Sequence, residues 1–176
     1  MTHVDIRRAS AADLANSLDD LTDILHASVH AGASVGFILP FSRADASDFW
    51  RGTVFPPVRS GQTHLFLAHI GTRVVGTVQL GLALPPNQPH RADVAKMLVH
   101  PDMRRRGIAR RLLGVLEQEA RALGKTLLVL DTRTGDSAQP LYASEGFEVA
   151  GVIPGYCRDP AADHFDSTTY MFKALE

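Results

Sequence analysis

The chain has 176 residues, 45% of them hydrophobic, which is enough to bury one proper core and reads as a single domain over 1–176. A formal net charge of −1 argues against a whole-molecule nucleic-acid binder, and a single cysteine, Cys157, excludes an internal disulfide and fits a reducing, cytoplasmic setting. The N-terminus lacks an apolar signal core, and no apolar run approaches the roughly 18 residues of a membrane span, so no membrane partner is expected.

Residues 4–8 alternate like a short strand, with Val4 and Ile6 on one face. Ser10 can cap the helix that follows, predicted over 11–31 from Leu14, Leu18, Leu21, Leu25 and Val29 at three- and four-residue steps. The segment Gly32-Ala-Ser-Val-Gly36 breaks it. Ser42 can cap a second helix through Asp45, Phe49 and Trp50, expected to stop before Pro56-Pro57. Residues 63–70 and 73–84 read as a hairpin about Gly71-Thr72, and 85–89 as a loop. A strand at 93–99 is followed by a helix from about 105 to 123, with Ile108, Leu112, Leu116, Ala120 and Leu123 on one stripe and Arg110, Glu117 and Arg121 toward water. Gly124 closes it where a left-handed cap is wanted. Residues 126–130, nearly all apolar, predict a strand buried on both faces. A short helix at about 138–145 tolerates Pro140 in its first turn. Strands near 147–153 and 167–174 complete an α/β order.

The segment from Val94 to Leu116 carries the strongest signal. An apolar strand runs into a basic turn with a glycine at Gly107, then directly into the amphipathic helix. Five of the eighteen Lys and Arg residues fall between Arg104 and Arg111. Free N–H groups of a first helical turn, the helix dipole and the arginines together make an anion site, suited to a pyrophosphate. A merely solvated helix face would not explain Gly107 and Ala109, where a phosphate needs close approach to the backbone.

Arg104-x-x-Gly107-x-Ala109 resembles the Arg/Gln-x-x-Gly-x-Gly/Ala signature of the GNAT superfamily of acetyl-CoA-dependent N-acetyltransferases. Its usual lead-in, an apolar strand ending Val-x-Pro, is matched by Met97-Leu98-Val99-His100-Pro101. The segment Tyr142-Ala-Ser-Glu-Gly146-Phe147 resembles the family's Tyr-x-x-x-Gly-Phe. The resemblance implies the GNAT acyl-CoA N-acyltransferase fold, a mixed, mostly antiparallel central sheet whose fourth and fifth strands are parallel, flanked by helices. It also implies acetyl-CoA as cosubstrate, held by the backbone of Met97, Leu98 and Val99 and by Arg104, Arg105, Arg106, Gly107, Ile108, Ala109 and Arg110. The same strand backbone would donate to the thioester carbonyl. Ala33–Phe37, Asn87, Arg91-Ala92, Leu130-Asp131-Thr132 and 154–157 further resemble the tabtoxin-resistance acetyltransferase type, which implies a small-molecule amine acceptor and a monomer or homodimer.

In that chemistry Tyr142, protonated at neutral pH, is the candidate donor to the leaving thiolate; the plain alternative is a buried aromatic. Asp131, at a strand's carboxyl end, and Asp93 are candidates for the amine's proton, provided partial burial favours protonation. Their alternatives are a loop cap and an ion pair with Arg91 or Lys96. His30, Phe37 and Tyr156 are expected to line the acceptor pocket, with 154–164 as a long loop closing one side. His26 and His30 stand four apart but have no third ligand in view, so no metal is expected. No Gly-x-x-x-x-Gly-Lys-Ser/Thr loop for a nucleoside triphosphate exists, since Gly124-Lys125-Thr126 has Glu119 where the leading glycine would stand. Two rival functions are an acyl-CoA-binding or sensing module without catalysis, and a nucleic-acid binder using the arginines, which the balanced charge opposes.

Overall fold

The computed structural model describes residues 3–175; Met1, Thr2 and Glu176, on which the N-terminal reading and the ends of the one-domain span partly fall, lie outside them. Along the chain run β1 (Asp5–Arg8), α1 (Ala11–Asn16), α2 (Leu18–His30), α3 (Arg43–Phe49), a π turn (Trp50–Val54), α4 (Phe55–Arg59), β2 (Thr63–Ile70) and β3 (Arg73–Gly81). Then come β4 (Arg91–Val99), a 3-10 turn (Pro101–Met103), α5 (Ile108–Ala122), β5 (Leu127–Arg133), α6 (Ala138–Ser144), β6 (Glu148–Arg158) and β7 (Phe165–Ala174). The seven strands form one sheet in the order β1-β2-β3-β4-β5-β7-β6, and only β4 and β5 run parallel. The α/β class and the parallel pair are as expected from the sequence. A parallel neighbour requires a crossover, which α5 supplies between β4 and β5.

Strand alternation decides which layer each residue joins. On β2, Phe66 and Ala68 enter the core beneath α5, whereas Leu65 and Leu67 enter the core beneath α1–α4. The stripe Ile108, Leu112, Leu116 and Ala120 seals α5 onto the first face. Leu14, Leu21, Leu25, Trp50 and Phe55 seal the helices onto the second, and the Trp50 indole N–H donates to the Leu21 carbonyl at 2.9 Å. No helix among the described residues is long and apolar enough to cross a membrane.

Several boundaries differ from the sequence expectation for local reasons. The helix expected at 11–31 is interrupted at Ser17, which keeps right-handed helical angles (φ −95°, ψ −2°), so the apolar spacing does not register the joint. The second helix does not stop before Pro56-Pro57: the Phe55 N–H reaches back to the Trp50 carbonyl in a π turn, and α4 begins with the prolines in its first turn, where no N–H is needed. β3 ends at Gly81 rather than 84: the Leu82 N–H still meets the Gln62 carbonyl at 2.9 Å, the next step of the β2–β3 register, but the Leu84 N–H then turns back to the Leu82 carbonyl at 3.0 Å. α5 starts at Ile108 rather than Arg105, since Arg105 (φ 62°) and Gly107 (φ 75°) hold left-handed angles that no helix accepts.

Leu123 was expected on the buried stripe but is 43% exposed, lying just past the last helical turn. β5 is longer than expected and is buried on one face only: Leu128 and Leu130 are covered, while Asp131 on the other face is exposed, because α1–α4 pack over β2–β4 and stop short of it. The segment 154–164 is not a long loop. β6 continues to Arg158 as an edge strand, its ladder interrupted between Ile153 and Cys157, and an edge with a bulge is where a strand accommodates Pro154.

Leu112→Ala, at a fully buried position on the inner stripe of α5, is expected to cost about 2–5 kcal/mol, whereas Leu123→Ala costs under about 0.5 kcal/mol. Urea unfolding of the two variants checks the contrast; equal losses would place Leu123 in the core.

Candidate active site

The parallel pairing of β4 with β5 covers only Arg91 with Leu127, Ala92 with Leu128 and Asp93 with Val129. Both strands then continue and part, and a cleft of about 920 Å³ opens between them. Val94–Val99 line one wall. Asp131, Thr132, Arg133 and the α6 residues Ala138, Leu141 and Tyr142 line the other. At one end stands the 3-10 turn with the N-terminus of α5; at the other, the loop 31–36 approaches Tyr156 and Cys157. Ser34 Oγ and Cys157 Sγ, 3.4 Å apart, join the two walls there.

At the α5 end, Arg104, Arg105, Gly107, Ile108, Ala109 and Arg110 face the cleft, and Arg106 does not. The first bond of the helix is Arg111 N–H to the Gly107 carbonyl at 3.2 Å, so the amides of Ile108, Ala109 and Arg110 precede it and point outward. A Cβ on Gly107 would meet nothing within 4 Å, so glycine is required by the backbone angle rather than by crowding from the protein. Open space before unpaired first-turn amides is an arrangement that can accept an anion. Arg110 is tied to α6 through Glu145 and through Ser144 Oγ at 3.0 Å, and Arg104 Nε donates to the Val99 carbonyl at 3.3 Å.

Tyr142 is 7% exposed, packs edge-on against Phe147, and reaches the cleft with its hydroxyl. Among the described residues no protein group hydrogen-bonds that hydroxyl. Burial, then the charges of Asp131 and Asp136, hold its pKa well above the usual tyrosine value. Asp131 lines the cleft and accepts from Thr168 Oγ1 at 2.9 Å. It is exposed, so the partial burial on which a base role was conditioned is absent. Asp93 pairs with Arg91 where β4 and β5 are still joined, and does not line the cleft.

Of the expected acceptor-pocket residues, only Tyr156 stands at the cleft, its hydroxyl 3.0 Å from that of Tyr170. The Tyr170 hydroxyl is pushed up to about 12 by this hydrogen bond and then by burial. His30 is exposed and its Nδ1 contacts the His26 carbonyl of its own helix at 2.9 Å. Phe37 turns inward to an aromatic cluster with Phe41 and Phe49, at 4.6 and 5.1 Å between centroids. The loop between them, 31–36, forms the wall instead.

Lys96 is the cleft residue that sequence reasoning missed. Val94 joins the α5-side core and Leu98 the opposite one, although strict alternation would put both on one face. The ladder with β3 shifts between Thr77 and Gln79, and Lys96 itself takes a left-handed φ of 48°. This bulge swings the lysine under the 31–36 loop, where Nζ donates to the Val35 carbonyl at 2.8 Å. A charged residue inside the otherwise apolar run 94–99 was the available signal.

The family model of the acetyltransferase (GNAT) family matches residues 33–147. An uncharacterized N-acetyltransferase from the hisH-hisA intergenic region of Azospirillum brasilense is 33% identical over 142 residues, covering 80% of this chain and 82% of that one. An N-acetyltransferase from Staphylococcus aureus superposes with a TM-score of 0.80 at 20% identity, over 99% of both chains. A putative acetyltransferase from Salmonella typhimurium, solved with its cofactor acetyl-CoA, gives 0.77 at 22% identity, over 99% of this chain and 95% of that one. With a parted β4/β5 pair, an α5 N-terminus whose first amides are unpaired and a family match across both, the chain belongs to the GNAT acetyltransferase family.

Proposed function

We propose that this protein transfers acetyl from acetyl-CoA to the primary amine of a small molecule, both substrates being bound at once and the amine attacking directly. The observation that carries the reading is the cleft itself, which runs from the unpaired amides of α5 along the parted edge of β4 to Tyr142. The residues present fit the cosubstrate: outward amides and Arg105 suit a pyrophosphate, and the β4 edge that β5 has left suits an extended amide-bearing arm. Acetyl-CoA, when bound, supplies the thioester carbonyl that the amine attacks.

The chain's own groups then divide the work. As the family resemblance implies, backbone N–H groups on the gap side of β4, those of Met97 and Val99, donate to the carbonyl oxygen as it gains charge, the Leu98 N–H facing β3. Tyr142 keeps its proton at Oη, because burial disfavours tyrosinate, and serves as donor to the sulfur as the C–S bond breaks and the C–N bond forms. Asp131, exposed on the facing wall and without the burial a resident base needs, attracts the amine and passes its proton on to water. Asp93 is paired with Arg91 on its own strand and stands outside the cleft, so it is given no proton to carry.

A small acceptor is supported by the contact of Ser34 with Cys157, which bridges the two walls at that end of the cleft. The likeness of 33–37 and 154–157 to the tabtoxin-resistance type points the same way. A relative in Azospirillum brasilense named an IAA acetyltransferase, 39% identical over 69 residues, covers only 39% of this chain and does not narrow the acceptor.

Acetyl-CoA at a hundredfold excess over Kd is expected to stabilise the protein by about 2.7 kcal/mol, and Gly107→Glu is expected to remove that gain, since a carboxylate would occupy the anion position. A folded Gly107→Glu variant that is still fully stabilised in a thermal melt would move the site elsewhere. Tyr142→Phe is expected to lower kcat by about 10²-fold while acetyl-CoA affinity is kept. In ultraviolet titration the tyrosinate signal that this variant loses should lie well above the usual tyrosine range. Unchanged turnover would leave Tyr142 a packing residue only.

A further inference from the structure

One cation at the acceptor end has no part in the transfer chemistry above. Lys96 is half-buried in the β4 bulge, with Nζ 2.8 Å from the Val35 carbonyl and 5.6 Å from the centre of the Phe49 ring. An ammonium has three donors, and the protein engages one of them with a neutral acceptor. The aromatic face adds a weak attraction. Among the described residues no carboxylate reaches ion-pair distance of Nζ; Asp131, on the facing wall, acts on it only at range.

The other cations lining the cleft are committed elsewhere. Arg133 is shared by Asp136 at 3.3 Å, Asp159 at 3.4 Å and Asp166 at 3.5 Å. Arg110 is bound to Glu145, and Arg104 and Arg105 belong to the opposite, α5 end. Burial pulls the Lys96 pKa down, as expected of a charge taken from water without a counter-ion. A ligand that brings a negative group to Nζ would supply that counter-ion.

We propose that the acceptor is an amino carboxylate, whose carboxylate is held by Lys96 while its amine faces Asp131 and the thioester position. The proposal rests on the amine-acetyltransferase reading and narrows it. Lys96 and Asp131 stand on facing walls with opposite charge, which matches the two ends of a zwitterion. A simple monoamine or a polyamine offers nothing to Lys96 and adds a cation beside it. The alternative role, a strut that props the 31–36 loop through Val35, would affect every acceptor alike.

The test supplies acetyl-CoA and the twenty common amino acids, each paired with the amine that its decarboxylation would give, and follows thiol release by the full chain. The best amino acid is expected to exceed its decarboxylated partner at least tenfold in kcat/KM. Lys96→Met is expected to bring that ratio close to one, chiefly through KM, while the thermal stabilisation by acetyl-CoA persists. Calorimetric titration of the same pair into the free protein should show the preference as affinity, and its loss in the variant. A wild-type ratio near one, a ratio that survives in Lys96→Met, or acetylation of polyamines but of no amino acid would overturn the proposal and leave the acetyltransferase reading intact. Thiol release with no amine of any kind would overturn that reading itself, and this proposal with it.

Discussion

β4 and β5 share three residue pairs and then diverge, and every chemical feature of the molecule depends on that fork. A parallel pair joined through α5 must place the helix across one face of the sheet, so the N-terminus of α5 arrives at the mouth of the gap the strands leave. The helix is held there by its stripe from Ile108 to Ala120, and by the fit of Gly76 beneath it, where a Cβ would stand 3.2 Å from Ile108. Tightly packed hydrophobic contact thus aims the free amides. The backbone of β4 along the gap has a sheet partner on its β3 side only, which leaves the other side for a ligand.

Charge is distributed along the cleft in a consistent order. Positive groups and helix dipole gather at the α5 end. Tyr142 stands on the facing wall, kept protonated by its burial. Asp131 and Lys96 oppose each other toward the 31–36 loop. The remaining acidic cluster, Asp159, His164 and Asp166, lies near Arg133, whose guanidinium pairs with both carboxylates; these contacts fasten the β6–β7 turn to the end of β5. Leu39 joins the same turn through the Pro160 carbonyl at 2.8 Å, so the turn ties the sheet to the segment leading into α3.

The α5 end was legible in the sequence because its signal is local: a strand, a glycine, a run of arginines and an apolar stripe occur within twenty-three residues. The acceptor end was not, because it is assembled from distant pieces. His30 and Phe37 bracket the loop that forms the wall, but whether a side chain faces inward depends on partners such as Phe41 and Phe49 that alternation cannot place. Lys96 was hidden by a bulge that inverts the face of every later β4 residue, and a bulge at a non-glycine residue leaves no mark in composition. Asp93 and Asp131 look equivalent along the chain. They differ because one lies at the last joined pair of the fork and the other beyond it.

The central claim, that the fork holds acetyl-CoA along its β4 edge and at the α5 amides, is tested most directly by backbone hydrogen exchange with and without acetyl-CoA. Protection is expected to rise at residues 94–99 and 107–110, with little change at β1 and β6. Unaltered exchange at both segments, with new protection at another surface, would contradict the account.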